Sequence, residues 1–251
     1  MPSQTPAASS AQRNAASTGA VTTSVVLVHG AFADGSSWRK VIPLLQAAGL
    51  RVAAVQNPLT SLADDVEFTR RIIEAQPGPV VLVGHSWGGS VITQAGDHPQ
   101  VEALVYVAAF APQAGEAGVD VVKTFPPMPG KEGRITTPDG FQLLTPESVR
   151  DNFAQDLDPA EANLIAVTQG AVRASAFEEK VSVQAWRDKP CWYVVSEADR
   201  MINPDAQRAL ARRMGATVTA LQTSHVPMLS QPEAVAATIV AAAKSIERSD
   251  C

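Results

Sequence analysis

Val80-Val81-Leu82-Val83-Gly84-His85-Ser86-Trp87-Gly88-Gly89-Ser90-Val91-Ile92-Thr93-Gln94-Ala95 is the stretch that decides the fold. Four consecutive apolar residues form a strand pattern buried on both faces. Ser90 to Ala95 continues as a helical pattern. Between them, Gly84 to Gly88 reads G-x-S-x-G, the strand-turn-helix context in which this short pattern has chemical meaning. The turn is so tight that only glycine can flank the serine without a clash. It lifts the Ser86 hydroxyl above the sheet edge, at the start of a helix whose free N–H groups favour developing negative charge. A glycine-rich turn with an idle serine would carry the same letters, so the rest of the chain decides.

Outward from this stretch, strand-like and helix-like segments alternate, which predicts a mainly parallel sheet flanked by helices. Ser24 to Val28 is a β-branched run ending at His29-Gly30. Ser37 precedes a helical pattern through Leu45 that Gly49 ends. Arg51 to Val55 reads as a strand and Ser61 to Gln76 as a helix. Val101 to Phe110 is another buried strand. Strand pattern returns at Cys191 to Val195. Asn203 and Pro204 then have N-cap and first-position character for a helix that Gly215 closes. Thr217 to Leu221 is the last strand, and Ser230-Gln231-Pro232-Glu233 has capping-box spacing before the final helix.

The pattern breaks between Pro112 and Pro190, where proline and glycine concentrate and only short helical pieces appear. The expected organisation is therefore a leader over residues 1–22, a core over 23–111 and 190–251, and a helical cap inserted at 112–189.

The 251 residues are enough for one α/β domain with a sizeable core. Hydrophobic residues make up 45%, charged residues 18%, and the net charge is −5, an ordinary globular profile. No basic run points to nucleic acid. The longest apolar runs, 103–111 and 234–243, fall far short of the roughly 20 residues that span a bilayer. Met1 to Ala20 lacks the apolar core of a signal peptide and reads as a flexible leader. Two cysteines make neither a disulfide framework nor a metal cluster. These features lead to an expected cytoplasmic protein without metal or cofactor, monomeric or homodimeric, acting on a small molecule.

A serine hydroxyl is a poor nucleophile without a base in hydrogen-bond reach and a carboxylate to orient that base. The chain has four histidines. His29 and His85 sit within tight turns. His98 follows the helix after Ser86, far from the sheet's carboxyl edge. His225 follows the last strand, where open α/β sheets place their ligands, and is the candidate base. Asp199, in the loop after the Cys191 strand, is the candidate acid. Glu197 and Asp205 are its neighbours in sequence, and Glu116 and Asp120 are earlier rivals. The order Ser86, Asp199, His225 is one of the orders in which such triads occur. A developing oxyanion needs two N–H donors. Trp87, directly after the serine, supplies one; the loop His29 to Gly35 supplies the other, from Ala31 or alternatively Phe32. A phosphate-binding role for that loop lacks the required spacing.

On these residues the chain resembles the α/β-hydrolase superfamily, over nearly all of 23–245 except the insertion. The resemblance rests on Val26-Leu27-Val28-His29-Gly30, Gly84 to Gly89, Tyr193 to Pro204 and Ser224 to Pro232. Within that superfamily it is similar to bacterial carboxylesterases near the plant methylesterase and hydroxynitrile lyase group. The resemblance implies a triad of Ser86, Asp199 and His225, and an oxyanion hole of Ala31 and Trp87. Hydroxynitrile lyases of that group carry lysine after the catalytic histidine, whereas this chain has Val226. Dehalogenases and epoxide hydrolases of the fold use aspartate where this chain has Ser86.

The expected reaction is hydrolysis of small to medium uncharged esters through an acyl-enzyme. Phe32, Phe110, Trp186, Val226 and Met228 are expected to line the pocket. Lactone, C–C or peracid chemistry on the same triad, or ligand binding without catalysis, are the alternatives.

Overall fold

The computed structural model describes residues 22–247. The leader expected over 1–22 and the terminal Cys251 lie outside them, apart from residue 22.

In chain order the core begins with β1 (Ser24–Val28), α1 (Ile42–Ala47), β2 (Arg51–Ala54), α2 (Leu62–Glu74), β3 (Val80–His85), α3 (Gly88–Ala95) and β4 (Val101–Val107). Next come α4 (Gly118–Val122), β5 (Arg134–Thr136), β6 (Phe141–Leu144), α5 (Pro146–Ser148), a π turn over Val149–Phe153, α6 (Pro159–Thr168) and β7 (Val172–Arg173). The core resumes with β8 (Cys191–Ser196), α7 (Pro204–Met214), β9 (Thr217–Leu221), α8 (Pro227–Ser230) and α9 (Pro232–Glu247).

Six strands form one sheet in the order β2-β1-β3-β4-β8-β9, and every pairing in it is parallel. β1 and β3 are buried along their whole length, which is why they read as unbroken apolar runs with no alternation. The edge strands β2 and β9 are partly exposed and more polar. The chain leaves β1 toward one edge and returns at β3 to build the other. The loops after β1 and β3 therefore flank the point where the winding reverses, the place where such sheets hold ligands.

Most expected boundaries hold. Ser61 caps α2 by accepting from the Asp64 amide, and Asn203 caps α7 by accepting from the Asp205 amide. Gly215 ends α7 in the left-handed region at φ 63°. Three details differ. The helical pattern after Ser37 splits into a 3₁₀ turn over Gly35–Trp38 and the short α1. Ser230 ends α8, and its hydroxyl donates to the Val226 carbonyl, so it does not cap α9. The segment expected as a helical cap has its helices, and also a three-stranded antiparallel sheet, β5-β6-β7. These strands are two to four residues long and mostly half-exposed, too short to show periodicity.

Candidate active site

The turn between β3 and α3 is built around contacts that exclude side chains. A Cβ on Gly84 would stand 2.5 Å from the Gly88 carbonyl oxygen, and one on Gly88 would stand 2.6 Å from the Val28 carbonyl oxygen. Ser86, between them, is held at φ 52°, a left-handed conformation that costs a non-glycine residue about 1–3 kcal/mol and persists only where the surroundings enforce it. Its amide donates to the Val107 carbonyl, and its own carbonyl accepts from the Gly89 and Phe110 amides. The strained turn is thus fixed from both sides.

His225, 139 residues away in sequence, arrives from the loop after β9. Its Nε2 lies 2.8 Å from Ser86 Oγ, and its Nδ1 lies 2.7 Å from Asp199 Oδ2. Asp199 Oδ1 accepts from the Met201 and Ile202 amides at 2.7 and 3.0 Å. Asp199 Oδ2 also accepts from Gln207 Nε2 at 2.7 Å. These contacts fix the carboxylate in orientation. Asp199 and His225 are 2% and 1% exposed, and Ser86 is 7% exposed, so the line of three groups reaches the surface only at the serine.

The other histidines are occupied. His85 Nε2 donates to the His225 carbonyl at 2.8 Å. Burial, with His225 close by, holds its pKa well below the ordinary value, so it is a neutral brace for the His225 loop. His29 Nδ1 donates to the Gly30 carbonyl and its Nε2 accepts from the Asn57 amide. Burial lowers its pKa, and it ties the loop after β1 to the chain leaving β2. His98 lies beside Glu74 on the far side of α3. The acidic rivals are engaged elsewhere: Glu197 and Asp205 pair with Arg208, Glu116 with Arg213, and Asp120 with Lys123.

Ala31, Phe32, Phe110, Ser86 and His225 line one cavity of about 30 Å³ with Arg134, Phe153, Phe177, Met201 and Ile202. Phe153 also lines a larger neighbouring cavity of about 230 Å³, walled mainly by Ala33, Leu164, Ile165, Val226 and Leu229. The Phe153 ring meets the His225 ring edge-on at 5.2 Å. Trp87 turns its indole inward, where Nε1 donates to Asp65 Oδ2 at 2.7 Å. Asp65 Oδ1 accepts from the Leu59 amide, and burial raises the Asp65 pKa to about 6.

Two expected pocket residues stand elsewhere. Trp186 packs beside the end of α3, its Nε1 donating to the Pro112 carbonyl and its ring under Arg213. Met228, in α8, is fully buried in the core. Both are large apolar residues near site loops in sequence, and packing claimed them. Sequence reading missed Gln207, Asp65, Phe153, Phe177 and Arg134, which carry no motif. Among the described residues no group of three or more His, Cys, Asp or Glu side chains could hold a metal ion. No helix among them is long and apolar enough to cross a membrane.

Comparison with known proteins agrees with this architecture. The model of the alpha/beta hydrolase family matches residues 25–238. The chain is 26% identical over 233 residues to probable hydrolase R7 of Phoma sp., covering 83% of this chain and 93% of that one. It is 24% identical over 249 residues to methylesterase 2 of Arabidopsis thaliana, covering 87% and 95%. The crystal structure of a pyrethroid hydrolase from Sphingobium faniae JZ-2 superposes with a TM-score of 0.74 at 23% identity, covering 89% of this chain and 98% of that one.

Proposed function

The chain belongs to the alpha/beta hydrolase family, and on that footing we propose that it is a serine carboxylesterase acting on small to medium esters through an acyl-enzyme. The observation that carries this reading is the continuous contact from Ser86 Oγ through His225 to Asp199, at 2.8 and 2.7 Å. The naming of relatives as a methylesterase and a pyrethroid hydrolase supports it.

In the first step Ser86 Oγ attacks the ester carbonyl while His225 Nε2 takes its proton. Asp199 holds the imidazole with Nδ1–H toward itself and stabilises the imidazolium that forms. Its charge is already balanced by the Met201 and Ile202 amides and by Gln207, so little reorganises during the reaction. Trp87 and Ala31 supply the oxyanion donors. Neither amide is given to a protein acceptor among the described residues, and the loop carrying Ala31 turns through Phe32 at φ 58°. The alkoxide leaves with the proton from His225. Water, activated by the same nitrogen, then releases the acid and restores Ser86. Residues 112–189 act as the cap: Phe153 and Phe177 close the small cavity, and the larger apolar cavity beyond Phe153 receives the remainder of the ester. Val226, 1% exposed, offers no cation for cyanohydrin cleavage.

Turnover of p-nitrophenyl esters of graded chain length tests the proposal. The wild type hydrolyses the shorter members, and Ser86→Ala loses at least about 10³-fold in kcat/KM. Equal turnover by the two proteins overturns it.

A further inference from the structure

Arg134 stands in the wall of the cavity that holds Ser86 and His225. It comes from β5, in the segment between β4 and β8, and its guanidinium carbon lies over the rings of Phe32 and Phe177, at 5.6 and 5.5 Å from their centroids. Arginine has five N–H donors. Among the described residues its one acceptor is Gln142 Oε1, 3.3 Å from Nη1, and Nε is buried with no partner there. No carboxylate pairs with it among the described residues. Burial lowers its pKa and no acidic neighbour offsets that effect, yet a guanidinium remains cationic in any protein. Arg134 as a whole is half-buried, and a charge drawn even partly out of water is normally paired because desolvation is costly. Contact with two aromatic faces steadies the group but leaves its in-plane donors, apart from the one given to Gln142, unused.

The remaining wall is apolar apart from Ser86 and His225, and the nearest acid of the site, Asp199, is sealed behind His225. The cavity therefore presents one fixed positive charge beside the reacting atoms. We propose that Arg134 is a specificity-determining residue that receives a carboxylate carried by the ester, so that the preferred substrates are singly negative esters. This rests on the ester-hydrolase reading of Ser86, His225 and Asp199, and it replaces the uncharged substrate expected from the apolar residues alone. The planar fork matches both oxygens of a carboxylate.

Four substrates in two matched pairs test it. The mono-p-nitrophenyl ester of glutaric acid against p-nitrophenyl pentanoate places the charge on the acyl side. 4-Carboxyphenyl acetate against 4-carbamoylphenyl acetate places it on the leaving group. The wild type is expected to favour the charged member of at least one pair by about ten-fold or more in kcat/KM. Arg134→Gln is expected to abolish that preference, raising KM for the charged ester about 10- to 100-fold more than for its neutral partner. Arg134→Lys, which keeps the charge and loses the fork, falls between them. No preference in the wild type, or equal loss on both members in Arg134→Gln, overturns the proposal. Should Arg134→Gln not fold, inhibition of neutral-ester turnover in the wild type decides instead: benzoate must bind at least about ten-fold more tightly than benzamide, and equal inhibition overturns the proposal. Failure of the wild type to hydrolyse any of the four esters defeats the ester-hydrolase reading, and with it this one.

Discussion

Gln207 Nε2 lies 2.7 Å from Asp199 Oδ2, the same oxygen that meets His225 Nδ1. The amide of Gln207 also accepts the Ser196 N–H through Oε1 and donates to the Ile202 carbonyl. One fully buried side chain thus fixes both the end of β8 and the carboxylate proposed to orient the base. In the proposed mechanism Gln207 acts through Asp199 and is a positioning residue.

Gln207→Leu is expected to lower kcat for an aryl ester about ten-fold with KM within about two-fold, because the orientation of His225 and not substrate binding is disturbed. Leaving the Ser196 amide unpaired costs about 1–3 kcal/mol, or roughly 2–12 °C in melting temperature for a chain of this size. A melting shift with unchanged kcat would mean that the residue only supports β8. Steady-state kinetics and thermal melts on the same preparation separate the two.

Asp65 fastens the indole of Trp87, whose backbone amide is the proposed oxyanion donor. Burial raises the Asp65 pKa from 3.8 to about 6. A carboxyl whose folded-state pKa is raised favours the folded state below its unfolded pKa, and that contribution is lost as pH rises from about 4 through about 6. The full change is about 3 kcal/mol. In Asp65→Asn this term is absent, so the stability difference between variant and wild type should shift in favour of the variant across pH 4–7, whatever its offset. Denaturant melts at several pH values measure the shift. A difference that stays flat with pH contradicts the raised pKa. The variant should also lose kcat, since asparagine offers a single acceptor oxygen for the two donors of Trp87 and Leu59.

Trp186 is buried beside α3, away from both cavities. Trp186→Phe should therefore leave kcat/KM within about two-fold for every ester tried. It should lower stability by about 1 kcal/mol, by orphaning the Pro112 carbonyl. A change in chain-length preference would return Trp186 to the pocket.

The parts of this molecule legible in sequence are those where a local constraint leaves a local signature. A strand buried on both faces must be apolar at successive positions, so β1, β3 and β4 read plainly. A turn that excludes Cβ atoms must be glycine, so the Ser86 turn reads plainly too. His225 and Asp199, which the fold brings within 2.7 Å of each other, could be singled out because each follows a recognisable strand. Gln207 and Asp65 left no such trace. Each occupies a helix position where polar residues are ordinary, and only the tertiary approach of another element gives it a partner. Arg134 illustrates the same limit. It lies in a three-residue strand within a segment of weak periodicity, and its meaning comes from the cavity that the fold closes around it. Trp186 and Met228 failed in the opposite sense, because a large apolar side chain looks alike in a pocket and in a core.

Intact-mass spectrometry after exposure to a fluorophosphonate measures the central claim most directly. A serine activated by His225 and Asp199 should gain one phosphonyl group, mapped by peptide sequencing to Ser86, while Ser86→Ala stays unmodified and Asp199→Asn reacts at least about 10²-fold more slowly. A wild-type protein that remains unmodified, or that is modified only at another residue, would contradict it.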